Sequence, residues 1–216
     1  MQSVRRWPID WRERGPAGGT RPRAIVVPDF PAPAGLPFEF AALLPNHAFN
    51  RQLTEALIDR PPWAQQADIA ACFMADPFLN PASFAAVLRA KGFGRICNLP
   101  TIAQLGRALT GMSGDVNLGP ARERERLADF ARLGFEVFPV ITDWHGWQML
   151  AGIVPAGIIV ARSFEAGQTG DDLIGLARSV ATETDGRCPV LMLTGERFAR
   201  VEAPVAGAIH YGSNRP

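Results

Sequence analysis

Few features of this chain announce a chemistry, and what is scarce narrows the field first. Only three of its 216 residues are cysteines, Cys72, Cys97 and Cys188. They are odd in number, far apart and set in or beside apolar runs, with no CxxC spacing and no Cys/His cluster. Neither a zinc site nor a disulfide framework is expected. The pattern reads as reduced thiols packed in a core, in a reducing compartment. Charge of one sign is lacking too: 22 Lys and Arg against 21 Asp and Glu leave a net charge of +1, too little to call for nucleic acid or a membrane surface. No apolar run approaches the roughly 18 residues of a membrane span, and no apolar core follows the Arg-bearing N-terminus as it would in a signal peptide. A cytoplasmic protein is expected. Nucleophile elbow, Walker loop, HExxH and dinucleotide fingerprint are all missing from the sequence, which removes the reaction classes those motifs mark.

What is present is globular: 47% hydrophobic and 20% charged residues, in a chain long enough for one substantial core. Residues 1–23 stand apart, with Arg5, Arg6, Arg12, Arg14, Arg21 and Arg23 beside Trp7, Trp11 and a Gly-rich stretch. They read as a flexible or surface-wrapping arm. Asp10 and Glu13 dilute its charge and weigh against RNA or phosphate binding, and the tryptophans suit packing on a neighbouring surface such as another subunit.

From Ala24 onward, strand-like and helix-like segments alternate. Strands are expected at Ala24–Val27, Asp68–Met74, Arg95–Asn98, Glu136–Ile141, Gly157–Ala161, Val190–Thr194 and Ala208–Tyr211. Helices are expected at Phe49–Asp59, Pro81–Ala90, Ile102–Leu109, Ala121–Leu133, Gly146–Gly152 and Asp171–Thr184. Asn80-Pro81 has the form of an N-cap followed by Pro at the first helical position. Short buried strands alternating with helices predict a parallel sheet covered on both faces, and their spacing of roughly thirty residues fits a (βα)8 TIM-barrel-like domain over 24–216.

In such a fold the loops after the strands share one edge, where the chemistry sits. That edge collects Asp29, Asp76, Asn98, Thr101, Thr142, Asp143, His145, Arg162, Ser163, Thr194, Gly195, Glu196, Gly212, Ser213 and Asn214. Carboxylates, amides and a histidine there are able to hold Mg²⁺ or handle protons. Gly195 and Gly212-Ser213 follow the last two strands, where many barrels bind phosphate through backbone N–H groups. Most of these residue types also serve as turns and caps. His47 and His210 are further acid/base or ligand candidates, His210 lying inside a strand. Glu123 and Glu125, interleaved with Arg122, Arg124 and Arg126, read as a solvated helix face.

The order of small signatures resembles the phosphoenolpyruvate hydrolase-like TIM-barrel family over about residues 24–214. Leu43-Leu44-Pro45, Met74-Ala75-Asp76-Pro77-Phe78 and the run from Gly92-Phe93 to Asn98-Leu99-Pro100-Thr101 are similar to family motifs. So are Thr110-Gly111-Met112, a Glu-x-Glu at Glu123 and Glu125, the strand Ile158–Ala161 and the closing Tyr211-Gly212-Ser213-Asn214. The resemblance implies an enzyme acting on a small anionic substrate, phosphorylated or an oxo-acid, with a divalent metal. It assigns Asp76, Glu125 and Asn98 as catalytic, with Asp76 as the Mg²⁺ ligand. Thr101, Arg162, Gly195, Gly212 and Ser213 would bind substrate. The chain departs from the family in lacking the first strand with its Gly-rich loop, in carrying Arg162 where the family has histidine, and in ending at the last strand. Those departures imply the alternative of a non-catalytic ligand-binding or assembly module. Strand edges left unpaired by the missing unit would then be covered by the arm or by a second subunit, making a homo-oligomer.

Overall fold

In a computed structural model the described residues are 3–11, 21–29, 41–43, 48–58, 60–62, 68–106, 118–165, 167–194 and 205–210. The chain runs β1 (Ser3–Trp11), β2 (Ala24–Asp29), α1 (Phe49–Ile58), β3 (Ile69–Ala71), α2 (Pro81–Ala90), β4 (Arg95–Cys97) and a 3-10 turn (Ile102–Leu105). It continues through α3 (Pro120–Arg132), β5 (Glu136–Val137), β6 (Val140–Ile141), α4 (Trp144–Gln148), β7 (Ile158–Val160), α5 (Gly170–Glu183), β8 (Val190–Thr194) and β9 (Gly207–His210). All seven expected strands form, the fourth as two short pieces. Asn80 caps α2 as its sequence predicts, its side chain accepting the Ser83 N–H at 3.1 Å. Among the described residues no helix is long and apolar enough to cross a membrane.

The strands make one curled sheet in the order β5-β4-β3-β2-β1-β9-β8-β7-β6. β2 to β5 pair in parallel, as do β6 to β9. β1 lies between the two sets and is antiparallel to both neighbours. This overturns the expected (βα)8 TIM barrel: the sheet is mixed and nine-stranded, and its first strand runs the wrong way for a regular βα repeat.

Within the expected arm, residues 3–11 form β1. Trp7 and Ile9 are 4% and 8% exposed, against exposed Arg6, Pro8 and Asp10, the period-two pattern of a strand with one buried face. Two of the arm's arginines pair with carboxylates of the fold. Arg5 pairs with Asp29, and the Arg6 guanidinium grips the fully buried Asp68 carboxylate through Nε at 3.0 Å and Nη2 at 3.1 Å.

The ends of the sheet, β5 and β6, are separated only by Phe138-Pro139. Phe138 still donates its N–H to Ile96 on the β4 side, at 2.8 Å. Pro139 has no N–H to give, and its carbonyl accepts from Ile159 of β7 at 2.9 Å. Both flanks are engaged on either side of the proline: the Val137 carbonyl accepts from Ala156 on the β7 side at 2.9 Å, and the Val140 N–H is taken by Asn98 after β4.

Alternation divides the core in two. Val26, Ala70, Ile96, Val137, Val160 and Met192 face the helices and meet Leu53, Leu88, Phe130 and Val180. Ile25, Val27, Ile69, Cys97, Ile159 and Leu191 face the inside of the curl, where Trp7 and Ile9 join them.

Candidate functional site

The segments following β3, β4, β6 and β7 carry most of the described polar candidates. After β4, Asn98 is held by the backbone of β6: its Oδ1 accepts the Val140 N–H at 2.7 Å, and its Nδ2 donates to Glu123 Oε2 at 3.3 Å. Thr101 opens the 3-10 turn in a capping box with Gln104 and donates its hydroxyl to the same Glu123 oxygen. The other carboxylate oxygen accepts the Ile102 N–H at 3.0 Å. Glu123 is 2% exposed. All three donors favour its charged form, but burial outweighs them and pushes its pKa up to about 7. A cavity of about 40 Å³ adjoins this group, lined by Asn98, Thr101, Glu123, Pro120, Leu127 and Ile141 among others. That is room for a water molecule.

The glutamate that meets Asn98 and Thr101 is Glu123, not the Glu125 that the resemblance assigned as catalytic. Glu125 is exposed on α3, in an ion pair with Arg122 at 2.8 Å, and does not meet Asn98 or Thr101. Glu123 was placed on the solvated face, yet it shares the buried face of α3 with Leu127 and Phe130. Those positions recur at i, i+4 and i+7, the stripe of a core-facing helix, and that spacing was the signal that separates the two acids.

Asp76 sits in the turn after β3. Its Oδ1 accepts the Phe78 N–H and its Oδ2 accepts Asn50 Nδ2, each at 2.9 Å. Asn50, which no motif marked, also accepts the Phe73 N–H at 2.9 Å and donates to the Phe73 carbonyl at 2.8 Å, tying α1 to this turn. Asp76 and Glu123 both act electrostatically on the buried Cys72 thiol. Burial first, then Cys97 and these two carboxylates, raise its pKa well above the usual value, and Arg126 opposes them. The three thiols are free, Cys72 and Cys97 buried and Cys188 partly so.

Arg162 is exposed after β7, and its carbonyl accepts from Gln104 Nε2 at 3.4 Å. Nearby, Ser163 and Thr142 are linked through Gln168, which accepts the Ser163 N–H at 2.6 Å and donates to the Thr142 carbonyl at 2.8 Å. Asp143 caps α4, His145 lies exposed within that helix, and Asp29 is occupied by Ser3 and Arg5. His210 ends β9 with its ring 3.5 Å from the Thr194 hydroxyl. Gly195, Glu196, Gly212, Ser213, Asn214 and His47 lie outside the described residues. Among the described residues no three His, Cys, Asp or Glu side chains are grouped so as to hold a metal ion.

The chain matches no protein-family model and no curated protein.

Proposed function

We propose that the chain is a phosphoenolpyruvate hydrolase-like enzyme acting on a small phosphorylated or oxo-acid substrate at the ends of β3, β4 and β6. The observation that carries this reading is Glu123: a buried carboxylate titrating near neutrality beside a water-sized cavity, the property of a general base. A water in that cavity gives its proton to Glu123 as its oxygen attacks the phosphorus of phosphoenolpyruvate. The P–O bond to the enol breaks, and the enolate leaves and takes a proton from solvent at its methylene carbon to become pyruvate. The Asn98 amide and Thr101 hydroxyl hold the carboxylate in place, and Arg162 supplies positive charge for an anion. Asp76 is the carboxylate for a divalent metal, if one is used, on the side of the Phe73–Phe78 turn.

The test is release of phosphate and pyruvate from phosphoenolpyruvate by the full chain, with and without Mg²⁺. Glu123→Gln should abolish turnover, and Glu125→Gln should leave it unchanged. No release by the wild type, or equal rates in Glu123→Gln, overturns the reading.

A second reading, a non-catalytic ligand-binding or assembly module, is favoured by one observation. The inside of the curl is filled by Trp7, Ile9 and the inward residues of the sheet. Thermal stabilisation by phosphoenolpyruvate without turnover would select it. The homo-oligomer belongs to this module reading, but β1 already supplies the strand pairing for which a second subunit was invoked.

A further inference from the structure

A larger recess, of about 560 Å³, opens between α2 and α3 and is lined by Phe78, Pro81, Arg126, Asp129, Arg132 and Leu133 among others. Two of its groups are unusual. The Arg126 side chain is only 13% exposed, and its buried Nε–H has no hydrogen-bond partner. Its ion pair runs from Nη1 to Asp129 at 3.6 Å, on the other side of the guanidinium. That leaves the buried Nε–H without an acceptor, and an arginine Nε–H together with its neighbouring Nη2 grips a carboxylate with two parallel bonds. A desolvated donor left unpaired is costly to the fold, so an acceptor brought by a ligand gains more here than at an exposed arginine. Asp129 is shared with Arg132, and two guanidinium groups against one carboxylate keep the recess positive.

Phe78 is the second unusual group. Its side chain is 93% exposed, on a backbone whose N–H is bonded to Asp76 and whose next residue, Leu79, is buried. An aromatic ring lining a recess offers an apolar face to a ligand beside the charge. The N-terminal amides of α2 contribute nothing to the case, since Asn80 already takes the Ser83 N–H.

We propose that this recess binds a small carboxylic acid bearing an aromatic or aliphatic group, its carboxylate on Arg126 and its apolar part against Phe78. The site stands apart from the Glu123 cluster and does not depend on the function proposed for it. Its test is a titration of the full chain with benzoate, and separately with inorganic phosphate, following arginine Nε–H resonances by NMR. The Arg126 signal is identified by its loss in Arg126→Lys. Benzoate should shift that signal saturably and more strongly than phosphate, and Phe78→Ala should weaken benzoate several-fold while leaving the phosphate response alone. Phe78→Ala alters an exposed side chain and keeps the fold, so the test does not hang on the arginine variant. An Arg126 Nε–H unmoved by benzoate at tens of millimolar overturns the proposal, as does a benzoate response unchanged in Phe78→Ala.

Discussion

Glu123 carries a measurable consequence whether or not it takes part in catalysis. Its pKa in the folded chain is raised from the usual 4.5 to about 7 because burial penalises the anion more than three donors reward it. Below about 4.5 both the folded and unfolded chains hold this proton, and the associated stability is fully present. As the pH rises through about 7 the folded chain must bury the charge, and that stability is lost. One pKa unit corresponds to about 1.4 kcal/mol, so the loss is on the order of 3 kcal/mol. Urea unfolding at pH 5, 6.5 and 8 should show this decline in the wild type and a much flatter profile in Glu123→Gln. Parallel profiles would mean that the carboxylate is not desolvated. Glu125→Ala should change stability by less than about 0.5 kcal/mol, as for other exposed helix ion pairs. Both acids were visible in the sequence as a Glu-x-Glu motif. Which one is buried was legible only through its register with Leu127 and Phe130, because interleaved arginines made the whole segment look solvated.

Among the elements, β1 departs furthest from expectation. Most later elements were legible because each carries its own signal: Asn80-Pro81 at a helix start, an apolar stripe along α5, short apolar runs for the strands. The helix expected at Ile102–Leu109 is a 3-10 turn over its described residues, Ile102–Leu105. β1 has such a signal in Trp7 and Ile9 alternating with Arg6, Pro8 and Asp10, but six arginines in 23 residues obscured it. Its stability contribution has two sources. Trp7 is packed among Ile25, Val27 and their neighbours, and Trp7→Ala should cost about 3–5 kcal/mol, as large-to-small changes in a core do. Arg6→Ala removes the guanidinium that grips the buried carboxylate of Asp68. Because Arg6 is itself 38% exposed, the cost should be lower than for a fully buried pair, about 2 kcal/mol. Denaturant midpoints of the two variants check both values. A surface arm would show neither loss.

For the whole molecule, β1 closes the interval between two sets of parallel strands that otherwise share no ladder there: β2 to β5 on one side, β6 to β9 on the other. The sheet should therefore resist opening at its N-terminal strand. The Ile9 amide, bonded to the Arg23 carbonyl at 2.8 Å, should exchange with deuterium as slowly as the amides of β2. Exchange at the rate of a free terminus would contradict that placement. Residues a few positions apart set the alternation of strands and helices after Ala24, the cap of α2 and the polar character of the strand-following turns. Long-range contacts set the direction of β1 and the burial of Glu123 instead of Glu125. Those outcomes depend on contacts between Arg6 and Asp68, β1 and β9, and Glu123 and Asn98, groups far apart in the chain that meet only when the sheet curls.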